Sequence, residues 1–246
     1  MGNLPAHCSN CGAPLSPGAR FCEECGTSVA PQAVQLQSPA WEVPAPTGFG
    51  RGLPVASFSG SDPLLEYDVA YPERLSRWRI FVKWLLAIPH YFVLYFVGLA
   101  ASVVAVIAFF AILITGRYPR GMWDFSMLYL RWYANLNAYA VMLQRDEYPP
   151  FGDGPYPVRV HLDYPETLSR WKIFVKWLLA IPHYLVLSVL GIALAFVVFV
   201  AFFAILITGK YHRGMFDFVA GVTRWTMRVN AYVLLLTDRY PPFSMD

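Results

Sequence analysis

The sequence predicts an all-α polytopic membrane protein. Two tandem helical repeats would give about four transmembrane helices plus interfacial helices, behind a small N-terminal metal-binding ribbon. Three observations predict it. Of 246 residues, 57% are hydrophobic and 14% charged, against about 25% charged in soluble domains. That charge cannot clothe a water-soluble globule, and the same hydrophobicity excludes disorder of the whole chain. Residues 71–143 align with 164–236 at an offset of 93 without a gap, with about 45 identities. All four cysteines fall in the first 25 residues. The chain divides accordingly into a ribbon (1–26), a linker (27–63), a first repeat (64–151) and a second repeat (152–246).

The cysteines form two pairs, Cys8-Ser9-Asn10-Cys11 and Cys22-Glu23-Glu24-Cys25, each followed by a glycine, Gly12 and Gly26. A two-residue gap lets both thiolates of a pair turn onto one ion, and two such turns make a closed tetrahedral zinc site. The expected cofactor is a structural zinc held by Cys8, Cys11, Cys22 and Cys25. Two disulfides are the alternative; the lack of a signal-peptide pattern ahead of the cysteines favours zinc. His7 is a competing ligand, but four thiolates suffice. Reduced thiols imply that the ribbon faces the cytoplasm, and a closed site implies a structural metal. Residues 1–66 hold only Arg20 and Arg51 as bases against five acidic residues. A nucleic-acid module needs a basic footprint, so no nucleic-acid partner is expected, and contact with a cytosolic protein, or simple structural capping, is the better reading. The first residues lack the Ser/Thr needed for myristoylation. The linker scatters Pro31, Pro39, Pro44, Pro46, Pro54 and Pro63 among small polar residues, a composition that does not fold.

Each repeat opens with a basic, aromatic collar. In residues 73–87, Arg74, Arg77, Arg79 and Lys83 alternate with Trp78, Phe81 and Trp84; the second copy keeps Arg170, Trp171, Lys172, Lys176 and Trp177. Such residues snorkel and anchor at lipid headgroups. Arg77, Lys83, His90, Arg170, Lys176 and His183 are the candidate headgroup contacts, and anionic lipids are candidate partners; a generic positive-inside anchor is the alternative. His90 and His183 are alternatively ligands or proton carriers. Pro89 disfavours helix at Ile88 and suits the first turn of a new helix. Residues 91–114 and 184–207 are then 24 uncharged residues each, enough to cross a ~30 Å hydrocarbon core.

A tight turn at 115–121 leads to a third helix over 122–143, with its partner over 215–236. Asp124, Arg131 and Asn135 share one stripe of that helix, as do Asp217, Arg224 and Arg228 in its partner. If these helices span, the stripes face the protein interior with Asp–Arg pairing between repeats, because an exposed arginine at mid-bilayer costs about 2.5–3.5 kcal/mol. If they lie flat, the stripes face water and headgroups. Length and apolar faces favour spanning, which gives parallel repeats with both termini cytoplasmic in a multi-pass protein of the cell membrane. Residues 158–162 alternate with period two, as a strand does, and with 64–70 are read as a small β-pair before each repeat.

The strings Tyr-Pro-Glu-x-Leu-Ser-Arg-Trp, Phe-Val-Lys-Trp-Leu-Leu-Ala-Ile-Pro-His-Tyr, Ile-Thr-Gly-(Arg/Lys)-Tyr and Asn-Ala-Tyr occur in both repeats. They resemble the prokaryotic membrane family called domain of unknown function 4389, in two copies. The first 26 residues are similar to the zinc ribbons that precede prokaryotic membrane domains. The resemblance implies a membrane location; it supplies no activity and no catalytic residues. The repeats carry no nucleophile elbow, phosphate loop or metal-ligand pair. A non-enzymatic membrane scaffold or sensor with a cytosolic ribbon is therefore expected. A small transporter with an arginine-lined path between the repeats is the alternative, followed by a lipid-acting enzyme using His90, His183, Asp124 and Asp217. Oligomeric state is not legible.

Overall fold

The computed structural model describes Cys11, Ala13, Pro14, Cys25 and residues 64–246. The chain divides into two units, Met1–Ser57 and Phe58–Asp246, and the fold below belongs to the second. The linker and most of the ribbon lie outside the described residues.

Each repeat supplies a strand, a long helix and a shorter helix. The order is β1 (Glu66–Val69), α1 (Arg79–Thr115), α2 (Arg120–Leu136), a π-helical turn (Asn137–Val141), β2 (Val158–His161), α3 (Lys172–Thr208) and α4 (Arg213–Val233). β1 and β2 pair antiparallel with Tyr67 opposite Val160. The offset of 93 makes these two residues equivalent, so a position meets its own counterpart and a pseudo-twofold axis passes through the pair. Tyr67, Val69, Val158 and Val160 are buried, whereas Glu66, Asp68, Arg159 and His161 are exposed. This is the period-two pattern that the sequence shows. The β-pair expected between 64–70 and 158–162 forms, and it joins the two repeats.

α1 and α3 have 37 residues each, about 55 Å at 1.5 Å per residue. Pro89 and Pro182 lie inside them. The expected break at Ile88 does not occur: collar and apolar run are one continuous helix. Proline removes one main-chain hydrogen bond, but the ladder on either side of it stays intact and the helix persists. The Tyr148 and Tyr240 hydroxyls donate to the carbonyls of Leu86 and Leu179, both at 3.4 Å, in the turn before each proline. Each helix ends at a glycine in the left-handed region, Gly116 (φ 71°) and Gly209 (φ 70°). Their N–H groups donate to Ile112 and Ile205, both at 2.7 Å. A side chain at such a φ costs about 1–2 kcal/mol.

The long helices run antiparallel. Phe81, near the start of α1, meets Phe202 near the end of α3 at 5.7 Å; Phe109, near the end of α1, meets Phe174 near the start of α3 at 5.3 Å. The Leu75 N–H donates to Gly209 O at 2.9 Å, and the Leu168 N–H to Gly116 O at 2.8 Å. The Tyr71 and Tyr164 hydroxyls donate to the Tyr211 and Tyr118 carbonyls. These contacts between repeats come in reciprocal pairs, as in a twofold interface. The parallel repeats expected from sequence are replaced by repeats of opposite direction.

α2 folds back on α1 and α4 on α3, while α2 also packs on β2 and α4 on β1. The main core therefore joins both strands, α2, α4 and the inner sides of both long helices. Among the described residues two helices, α1 and α3, are long and apolar enough to cross a membrane, where the sequence reading expected about four. Only 17% and 11% of their most apolar stretches are buried. Large apolar side chains, from Phe92, Phe96 and Leu99 to Phe110 and Ile114, stand exposed along α1, and α3 repeats the pattern.

Candidate functional site

The polar stripes meet the strand pair. Arg131 Nε donates to Val160 O at 3.2 Å, and its Nη1 lies 2.6 Å from Asp153. In the other half, Arg224 Nε donates to Tyr67 O at 2.9 Å and Nη1 to Met245 O at 2.7 Å. Arg228 Nε donates to Leu65 O at 3.3 Å. Burial, then the neighbouring Arg224 and Arg239, lower its pKa from the ordinary arginine value. Each helix thus anchors the strand of the opposite partner through a charge-assisted bond to a main-chain carbonyl. Asp124 and Asp217 do not cross between repeats as expected. They pair with Arg120 (3.3 Å) and Arg213 (3.7 Å) one turn earlier, on exposed helix starts. The reason is reach: Asp124 and Asp217 are exposed on α2 and α4, whereas the arginines lie over the strands. Asn135 is buried and lines, with Arg131, Asp153, Glu66 and Arg159, a polar cavity of about 520 Å³ beside β2.

The six candidate headgroup contacts divide sharply. Arg77 and Arg170 are exposed and lie against Gly209 and Gly116 at opposite ends of the helix pair. Lys83 is only 2% exposed; its ammonium sits 2.7 Å from Asp146 and donates to Arg145 O at 2.7 Å. Lys176, at 0%, repeats this with Asp238 (2.7 Å) and Thr237 O (2.8 Å). Both ammonium groups also stand over a tyrosine ring, Tyr139 at 5.5 Å and Tyr232 at 5.4 Å. These lysines are internal ties and do not reach headgroups. A buried ammonium needs a carboxylate, and the nearest one is supplied by the loop after the helical hairpin.

His90 and His183 are buried too, as correction to the headgroup reading. The Trp132 and Trp225 indoles each donate to a histidine Nδ1 at 3.0 Å. A neutral ring accepting at Nδ1 carries its proton on Nε2. Phe151 stacks on His90 at 3.9 Å and Phe243 on His183 at 4.0 Å, with Tyr148 and Tyr240 at 4.9 Å. Among the described residues neither Nε2 atom has a hydrogen-bond partner. The result is two matching aromatic boxes, with no adjacent carboxylate among the described residues, an arrangement that pins the repeated Tyr-Pro-Pro-Phe segments (148–151 and 240–243) to the long helices. The sequence displays both the repeated Tyr-Pro-Pro-Phe and the repeated Arg-Trp, but periodicity gives no means of joining them to the histidines. Asp146 and Asp238 are missed for the same reason.

Of the expected zinc ligands, Cys11 and Cys25 are exposed; Cys8 and Cys22 lie outside the described residues. Among the described residues no three His, Cys, Asp or Glu side chains gather into a metal site. The donor chemistry of two Cys-x-x-Cys pairs fits a four-thiolate zinc site.

Comparison with known families agrees with this organisation. The family model described as a domain of unknown function, DUF4389, matches residues 77–152 and again 170–245. A zinc-ribbon domain model matches residues 7–29. No curated protein and no solved structure matches the chain. With more than half its length matched by the two copies, the chain belongs to the DUF4389 family.

Proposed function

From this duplicated DUF4389 unit, we propose that the protein is a non-enzymatic membrane scaffold that tethers a zinc ribbon at the cytoplasmic surface, where it engages a protein partner. Four thiolates, from Cys8, Cys11, Cys22 and Cys25, would hold the zinc. α1 and α3 form the membrane base, and α2, α4 and the strand pair form a polar-topped platform on it. The observation that carries this reading is the pseudo-twofold axis. An axis relating antiparallel helices runs perpendicular to them and meets them at mid-length, near Tyr95 and Ser188. The same axis passes through the Tyr67–Val160 pair. If α1 and α3 stood upright in the bilayer, exposed Glu66, Asp68, Arg159 and His161 would sit at mid-depth, at a cost of several kcal/mol each. Laid along one leaflet, the helices bury their exposed apolar sides in lipid and present the charged strand face to water.

The arginines weigh against a transport path. Arg131, Arg224 and Arg228 are committed to strand carbonyls rather than to a channel between the repeats. The absence of an acid–base partner beside His90 and His183 gives a lipid-acting enzyme no support.

The test is side-specific labelling of the full chain carrying Arg117→Cys or Lys210→Cys, with labelled peptides identified by mass spectrometry so that the natural cysteines do not interfere. A flat base predicts that both positions label from the ribbon side alone. Labelling of both from the opposite side would restore four spans. Labelling from opposite sides would mean that each long helix crosses once.

A further inference from the structure

The repeats differ by one residue in a place that matters. From Asn137 to Phe151 there are 15 residues; from Asn230 to Phe243 there are 14. The hydrogen bonds locate the extra residue. The Leu234 N–H reaches Asn230 O, four residues back, whereas the equivalent Met142 N–H reaches Asn137 O, five back. One step later, Leu236 bonds Ala231 while Gln144 bonds Ala138. Register then recovers: Leu143 and Leu235 share a left-handed φ (56° and 64°), and the Lys83–Asp146 and Lys176–Asp238 pairs have the same 2.7 Å length. The insertion is absorbed entirely as a π-helical turn, a feature that recurs at functional sites.

The turn borders an apolar cavity of about 580 Å³, within the ~300–1,000 Å³ of small-molecule sites. Ile80 and Trp84 wall it from α1, Val141 and Leu143 from the bulge, Leu194 and Val198 from α3. A β-carbon on Gly191, also in the wall, would meet nothing within 4 Å. At the symmetry-related place, Trp177 stacks on Phe109 (5.7 Å, 15°) and donates to Val233 O at 3.3 Å. Its counterpart Trp84 makes neither contact and is 63% exposed against 47%. Trp177 is held against the opposite long helix, while on the open side Trp84 lines the cavity.

Charge marks one end of the open half. Arg77 lies one turn before Ile80, with Nε 3.6 Å from where a β-carbon of Gly209 would stand. Lys210 follows that glycine, and both cations are exposed. We propose that the cleft between the first repeat (α1 and the bulge) and α3 of the second binds one anionic phospholipid, an acyl chain filling this cavity and the phosphate meeting Arg77 and Lys210. The proposal rests on the membrane-base reading above. An apolar slot continuous with lipid-facing helices fits a hydrocarbon chain, and the cations select the headgroup.

The full-length protein in nanodiscs of phosphatidylglycerol and phosphatidylcholine is released and weighed by native mass spectrometry. One retained phosphatidylglycerol per chain is expected. Ala195→Phe, which fills the cavity, should lower retention at least five-fold, whereas Ser102→Phe at the equivalent position of the first repeat should not. Arg77→Gln with Lys210→Gln should keep one lipid but lose the preference for phosphatidylglycerol. Flotation with vesicles of the same composition is followed in parallel. Variants that float yet keep full retention overturn the lipid site alone; a parent chain that fails to float overturns the membrane base. Retention of a free fatty acid in place of the phospholipid also overturns the proposal.

Discussion

The two repeats differ at one tryptophan: Trp177 of the second stacks on the opposite long helix, whereas Trp84 of the first lines a cavity instead. Both carry the same lysine tie, the same histidine box and the same glycine-capped long helix, at nearly identical distances. They diverge where one residue was inserted, and there the side chains of Trp84 and Trp177 part ways. The lesson is that the hydrogen-bonded ties set the frame, while the apolar contact between the long helices is free to vary. With lipid around the long helices, as proposed above, apolar groups gain little from meeting one another rather than lipid, so a cavity there would cost less than in a soluble core.

The largest effect should come from the lysine ties. Lys176→Met leaves Asp238 buried without its cation, and loss of one partner of a buried pair costs about 3–5 kcal/mol. Lys83→Met should cost less, because Asp146 is 16% exposed against 4% for Asp238. Denaturant unfolding in micelles measures both; equal losses would break the distinction. Next come the boxes. Trp132→Phe and Trp225→Phe each leave a histidine Nδ1 without a donor, at about 1–3 kcal/mol. The two losses should agree, since both bonds measure 3.0 Å. A smaller pair of equal losses, about 1–2 kcal/mol, is expected for Gly116→Ala and Gly209→Ala, read as a fall in thermal midpoint. The smallest change should follow deletion of Val141. That restores the spacing of the second repeat, and the thermal midpoint should hold or rise. A marked fall would show that the π-helical turn is required by the frame itself.

The ribbon and the membrane unit form a second comparison. Cys8→Ser with Cys22→Ser should abolish bound zinc, measured by elemental analysis. The thermal midpoint of the membrane unit should not move, because the two units are separate bodies of the chain.

The sequence by itself determined the duplication, the two long apolar helices, the turns at Gly116 and Gly209, the strand alternation and the cysteine pattern of the ribbon. All are local: they follow from composition, from period, or from a φ that favours glycine. It misjudged Pro89, because steric preference at one residue is outweighed by the helical hydrogen bonds on either side of it. The tertiary structure alone decided that the repeats oppose each other. It also decided that Arg131 and Arg224 hold strands, and that Lys83, Lys176, His90 and His183 turn inward. Their partners lie tens of residues away, Lys83 to Asp146 and His90 to Trp132, or in the other repeat, Arg224 to Tyr67. A helical stripe shows which residues share a face; only the packing of the second repeat against the first fixes what that face meets.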